Sequence, residues 1–111
     1  DFFIPDMINK VKKKQKITID KSVRDFIHVG EVSNIINFVI KKNIFSIVNA
    51  GSGKGLSLKY IISKISKKIN MKPVVIVNKT ISKIVADMSF LRLSGYKPKK
   101  NINGHFNLKI R

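Results

Sequence analysis

The sequence predicts an α/β fold, read as α+β if the chain stands as an isolated piece, and three observations carry that expectation. Short β-branched runs alternate with longer segments whose apolar residues recur at helical spacing. Glycine, proline and capping residues fall between those segments, where they act as punctuation. A hydrophobic content of 43% in 111 residues suffices for one domain with a modest core.

Taken in order, Ile4-Pro5 followed by Met7, Ile8 and Val11 predicts a short helix with proline in its first turn. Ile17-Thr18-Ile19 is a short strand, and Val23 to Val29 reads as extended. Gly30-Glu31 opens a helix whose Val32, Ile35, Ile36, Val39 and Ile40 form one apolar face, ended by Lys41-Lys42-Asn43. Ile44 to Val48 is β-branched and apolar, which predicts a strand leading into a glycine cluster. Ser57 is suited to cap a helix with Leu58, Ile61, Ile62, Ile65 and Ile69 on one face, ending near Asn70. Pro73 to Val77 is a further strand. Asp87 or Ser89 starts a short helix through Leu91 and Leu93, closed by Gly95. Pro98 begins a turn, and the stretch 101–110 reads as a last helix.

Composition removes several function classes. With no cysteine there is neither a disulfide framework nor a sulfur-built zinc site, and two histidines cannot supply a histidine-rich metal centre. No apolar run has the ~18 residues needed to span a membrane. The first ten residues lack a basic-then-apolar signal layout, so a cytoplasmic location is the expectation. A net charge of +17 invites a nucleic-acid partner. Yet all basic residues except Arg24, Arg92 and Arg111 are lysines, spread along the whole chain. Heavy use of lysine, isoleucine and asparagine is the bias an AT-rich genome favours, so solvated lysine faces are the preferred account. The densest basic run, Lys10 to Lys16, is expected at an exposed helix end.

The stretch Phe45-Ser-Ile-Val-Asn-Ala-Gly-Ser-Gly-Lys-Gly-Leu-Ser57 imitates a phosphate loop. It fails the Walker A pattern twice, because Val48 stands where the first glycine belongs and Gly55 follows Lys54 in place of a hydroxyl residue. Gly51, Gly53 and Gly55 are one residue short of the dinucleotide fingerprint, and the acidic residue expected about 20 positions on is missing. Two readings stay open: a structural turn, or a turn that also lines a ligand cleft with its N–H groups. Tyr60 and Lys64 reproduce a Tyr-x-x-x-Lys spacing, which elsewhere lowers a tyrosine pKa for proton transfer. Here the pair flanks a buried stripe, and the structural reading is preferred.

Three stretches in order carry a wider resemblance: Val23 to Val32, Phe45 to Leu58, and Lys83 to Phe106. Together they resemble the C-terminal part of the extended short-chain dehydrogenase/reductases, the NAD-dependent epimerase/dehydratase family that acts on nucleotide sugars. The resemblance covers nearly the whole chain. It implies that residues 1–111 are the C-terminal nucleotide-sugar-binding region, which closes over a nucleotide-diphosphate sugar. It also implies that NAD or NADP is bound mainly by an N-terminal Rossmann core lacking here, with its glycine-rich loop and catalytic Tyr-x-x-x-Lys pair. The abrupt apolar opening at Phe2-Phe3-Ile4 fits entry in mid-domain. A homodimer is implied for the intact enzyme, and a free-standing nucleic-acid module is the alternative.

By the same resemblance Arg24 contacts the diphosphate, which suits a guanidinium's forked hydrogen bonds. The competing expectation for Arg24 is an ion pair with a neighbouring carboxylate. Phe26 lines the nucleotide pocket or, equally, packs in the core. Val48 and Asn49 line the same cleft, and Ile4, Ile17 and Ile19 fall where the base and ribose are wrapped. Asp25 and His28 hold the turn into the Gly30 helix. The family's second phosphate-binding arginine is missing, leaving Lys79 or Lys83 as a point charge in its place.

Overall fold

A computed structural model describes residues 2–99. Four helices and five short strands follow one another among the described residues: α1 (Phe3–Lys12), β1 (Ile17–Ile19), β2 (Val23–Asp25), α2 (Val29–Lys41), β3 (Gly55–Ser57), α3 (Leu58–Ile69), β4 (Val75–Val77), β5 (Lys83–Ile84) and α4 (Ser89–Leu93). The α/β class expected from the sequence is what forms.

The strands make two small sheets. In one, β1 runs parallel to β4 with Ile17 opposite Val75 and Ile19 opposite Val77. In the other, β2 is central: β3 is antiparallel to it, with Arg24 opposite Leu56, and β5 is parallel, with Arg24 opposite Ile84. Crossovers of helical length separate the parallel partners, as parallel pairing requires.

Two apolar clusters hold these layers. The first joins Met7 and Val11 of α1, Ile17 and Ile19 of β1, and Ile61, Ile62 and Ile65 of α3. The second joins Ile35 of α2 with Met88, Leu91 and Tyr96. Phe26 packs on the first cluster and Ile27 on the second, so the segment leaving β2 runs between them.

Local chemistry explains the helix ends. His28 caps α2, its Nδ1 accepting from Gly30 N at 2.9 Å, so the helix begins at Val29 and the extended segment ends early. Ser57 caps α3, its Oγ accepting from Tyr60 N at 3.1 Å, and Asn70 ends it in the left-handed region at φ 58°. Among non-glycine residues asparagine adopts that conformation most readily. Gly95, at φ 99°, follows α4 in the same way. Lys10 and Lys12 fill the last turn of α1, and Lys13 and Lys14 continue from it, exposed, as expected for the basic run.

Two sequence expectations give way. Residues 44–48 form no strand: Phe45 and Ile47 stand in solvent, and β3 lies instead beyond the glycines at Gly55–Ser57. Among the described residues these positions pair with no strand, and β-branching alone does not hold an extended segment. The α2 stripe is also only partly buried. Ile35 lies in the core, whereas Ile36 and Ile40 are 53% and 66% exposed. Among the described residues no helix is long and apolar enough to cross a membrane. The helix expected over 101–110 lies outside the described residues.

Candidate functional site

The site builds on β2. Arg24 sits half-buried at its centre, and three hydrogen bonds fix its guanidinium. Nη1 donates to the carbonyls of Val23 at 3.0 Å and Ser82 at 3.3 Å, and Nη2 donates to Ser82 Oγ at 2.8 Å. Among the described residues no carboxylate lies within ion-pair distance of Arg24, although its charge helps hold the Asp20 carboxyl below its usual value, so the ion-pair expectation is not what forms there. Three of the five N–H donors of a guanidinium are thereby used. The Nε–H and one Nη2–H remain, on the edge whose forked spacing suits two oxygens of a phosphate.

Phe26 lies one residue beyond β2. Its ring packs on Phe3 with centroids 5.7 Å apart, and it lines an apolar cleft of about 550 Å³ with Phe2, Phe3, Ile4, Ile27 and Val32. Phe26 thus borders the first cluster, as the core reading expects, and also faces an open apolar cleft. Ile4 lines that cleft too. Ile17 and Ile19, by contrast, are buried in the first cluster, where they cannot present a surface to a base or ribose.

The remaining expected residues lie apart from Phe26. Val48 is half-buried against the second cluster, and Asn49 beside it is exposed. Lys79 is exposed in the β4–β5 connection, three positions before Ser82 and hence before the residue that grips Arg24. The structure thus joins Arg24 to the Lys79 connection through Ser82, and puts Phe26 and Val48 on different clusters.

The glycine loop has an internal anion. Asp25, next to Arg24, accepts from Ser52 N at 2.8 Å, Ser52 Oγ at 2.6 Å, Gly53 N at 2.9 Å and Ala86 N at 3.1 Å. Burial pushes the Asp25 carboxyl up, but the Ser52 hydroxyl and the N–H groups of Ser52, Gly53 and Ala86 outweigh it, holding the group below its usual value. Asp25 therefore organises the glycine loop, a different task from the turn into α2 expected of it. The two N–H groups that would make the loop a nest for a phosphate already face a carboxylate. Those two N–H groups are therefore not open to a ligand anion, and the loop serves at least as a structural turn. Lys54 is exposed.

Tyr60 and Lys64 meet on α3. The Lys64 ammonium lies over the Tyr60 ring, 5.4 Å from its centroid, a cation–π contact on the surface of α3.

Three residues escaped the sequence reading. Ser82 and Ser22, with hydroxyl oxygens 2.9 Å apart, support Arg24, and serines at that separation carry no sequence signal. Glu31 is buried in α2, accepting from the Tyr96 hydroxyl, Lys99 N and Asn34 Nδ2. Its helical phase, four residues before Ile35, was the available clue.

Comparison with known proteins places this geometry in a fold. No protein-family model and no curated protein matches the sequence. Solved structures do match. The Bordetella bronchiseptica enzyme WbmG in complex with NAD superposes with a TM-score of 0.79 at 22% identity, over 94% of this chain and 35% of that one. MlghC, a GDP-mannoheptose C4 reductase from Campylobacter jejuni with NADP bound, gives 0.76 at 16% identity, over 93% and 41%. The dTDP-4-dehydrorhamnose reductase of Bacillus anthracis in complex with NADP gives 0.75 at 19% identity, over 96% and 42%. At these identities the likeness establishes the fold: the chain shares the α/β fold of one portion of such enzymes. It spans about two-fifths of their length.

Proposed function

We propose that this chain is the C-terminal, substrate-binding part of an NAD(P)-dependent nucleotide-sugar epimerase, dehydratase or 4-ketoreductase, and that it binds the nucleotide diphosphate of the sugar donor. The observation that carries the reading is the fold match over more than nine-tenths of the chain to a GDP-mannoheptose C4 reductase and a dTDP-4-dehydrorhamnose reductase. The local chemistry supports it. Arg24 offers its free guanidinium edge to phosphate oxygens, Lys79 adds a positive point charge in the connection that holds Arg24, and the Phe26 cleft provides an apolar surface for a base. Val48 and Asn49 border the ligand from the segment before the glycine loop.

NAD or NADP would supply hydride transfer from a domain beyond these residues, since the glycine loop here is closed by Asp25. This chain's share of the work is binding, orientation and charge neutralisation. We place the intact enzyme as a homodimer.

Isothermal titration of the full chain with UDP, GDP and dTDP tests the reading. Weak binding of at least one is expected, reduced at least tenfold in Arg24→Ala, the loss of one charge-assisted hydrogen-bonding group of roughly 1.5–3 kcal/mol. Binding unaffected by Arg24→Ala contradicts it. No oxidoreductase turnover is expected from the chain alone with NAD or NADP, and measurable turnover would equally contradict the assignment.

A further inference from the structure

Arg24 is not held by packing alone. The end-on edge of its guanidinium spans two oxygens of a single residue, Nη1 donating to the Ser82 carbonyl at 3.3 Å and Nη2 to the Ser82 hydroxyl at 2.8 Å. The same Ser82 carbonyl accepts from Val23 N at 2.8 Å, so Ser82 is tied into the β2–β5 pairing and cannot drift without breaking that ladder. Its hydroxyl lies 2.9 Å from the hydroxyl of Ser22, which is wholly buried. Because Ser82 Oγ accepts from Arg24, its own proton is free to go to Ser22 Oγ. The hydroxyl is thus fixed at both ends.

An arginine side chain carries about 2 kcal/mol of rotamer entropy, which a mobile guanidinium gives up when it meets a ligand. Where a protein has already fixed it, that loss is taken on folding and binding gains accordingly. The grip also decides which donors remain: with the end-on edge occupied, only the Nε–H and outer Nη2–H edge can meet an anion. From this geometry we infer that Ser82 is the positioning residue for Arg24, oriented by Ser22, and that it presents the guanidinium's side-on edge to a ligand diphosphate. The inference deepens the nucleotide-diphosphate reading and rests on it. It also answers the missing second arginine, because a pre-set fork recovers some of the affinity a lone mobile one gives up.

The test uses the full chain with UDP as the probe and the variants Arg24→Ala, Ser82→Ala and Ser82→Thr, with thermal midpoints recorded for each. Ser82→Ala is expected to lower UDP affinity roughly three- to tenfold, the loss of one hydrogen bond of ordinary strength. Ser82→Thr, which keeps the hydroxyl, is expected to restore it. If Arg24→Ala lowers UDP affinity and Ser82→Ala does not, the positioning role is overturned and the nucleotide reading stands. If UDP binding survives Arg24→Ala, the nucleotide reading itself falls and takes the positioning role with it. A second measurement needs neither ligand nor variant. Nitrogen-15 relaxation of the arginine side chains should show the Arg24 guanidinium rotating more slowly than that of exposed Arg92. Equal rates overturn the inference even if Ser82→Ala fails to fold.

Discussion

Asp25 and Ser52 are joined twice, the carboxylate Oδ1 accepting from both the Ser52 N–H at 2.8 Å and the Ser52 hydroxyl at 2.6 Å. The same side chain accepts from Gly53 N and Ala86 N, so one carboxylate ties β2 to the glycine loop and to the segment after β5. Asp25→Ala is therefore expected to destabilise the chain by about 3 kcal/mol, since it leaves several donors without their acceptor. Urea unfolding measures it, and a loss within ~0.5 kcal/mol would refute the organising role.

The same carboxylate sets a pH dependence with a definite sign. Its pKa is lowered in the folded chain from the ordinary 3.8, so its contribution is complete above that value and is lost as pH falls through the lower folded value. Asp20 and Asp87 are shifted in the same direction, chiefly by the hydroxyls of Ser22 and Ser89, and add to the acid sensitivity. Thermal midpoints recorded from pH 6 down to pH 2.5 should fall in the acid limb, and less steeply for Asp25→Asn than for the parent. Parallel curves would remove Asp25 from the account.

Gly51 is needed for space. A Cβ there would stand 2.4 Å from Ala86 Cβ and 2.7 Å from Asp25 Oδ2, both attached to paired or packed backbone. Gly51→Ala is expected to cost about 1–3 kcal/mol by overpacking. Amide spectra should show the change concentrated at residues 51–53 and 86. A neutral substitution would mean that the loop does not close on Asp25 as described.

The two sides of α2 and the centre of α3 should respond differently. Ile65 is fully buried, and Ile65→Ala should cost about 2–5 kcal/mol. Ile36→Ser and Ile40→Ser, at exposed positions, should stay within ~0.5 kcal/mol and lower any scattering from apolar contacts between chains. Chemical denaturation and light scattering check the pair, and a large stability loss from Ile36→Ser would show that face to be packed.

Much of this fold was legible because it is local chemistry. Ser57, Asn70 and Gly95 announce helix ends by capping and left-handed propensity, and the Ile61, Ile62, Ile65 phase announces a buried face. Residues 44–48 misled because a strand is a property of its neighbours: β-branching marks an extended preference, and among the described residues no strand pairs with this segment. The α2 stripe misled for a related reason, since periodicity shows which residues share a face but not what covers it. At the candidate site, the motif singled out Arg24 and Phe26. The partners that matter to Arg24 and Asp25 were not, because Ser82 and Ser52 lie 58 and 27 residues away and are brought in only by strand pairing and loop closure.

The central claim, that Arg24 and its surroundings hold a nucleoside diphosphate, is tested most directly by following the amide and arginine side-chain resonances of the full chain during titration with UDP. Shifts should centre on the Arg24 side chain, Phe26 and the 79–82 connection, saturate, and vanish in Arg24→Ala. A response at residues 51–54 with Arg24 unmoved would contradict the claim. So would a response reproduced by unrelated duplex DNA and falling steeply with salt, as nonspecific lysine contacts do.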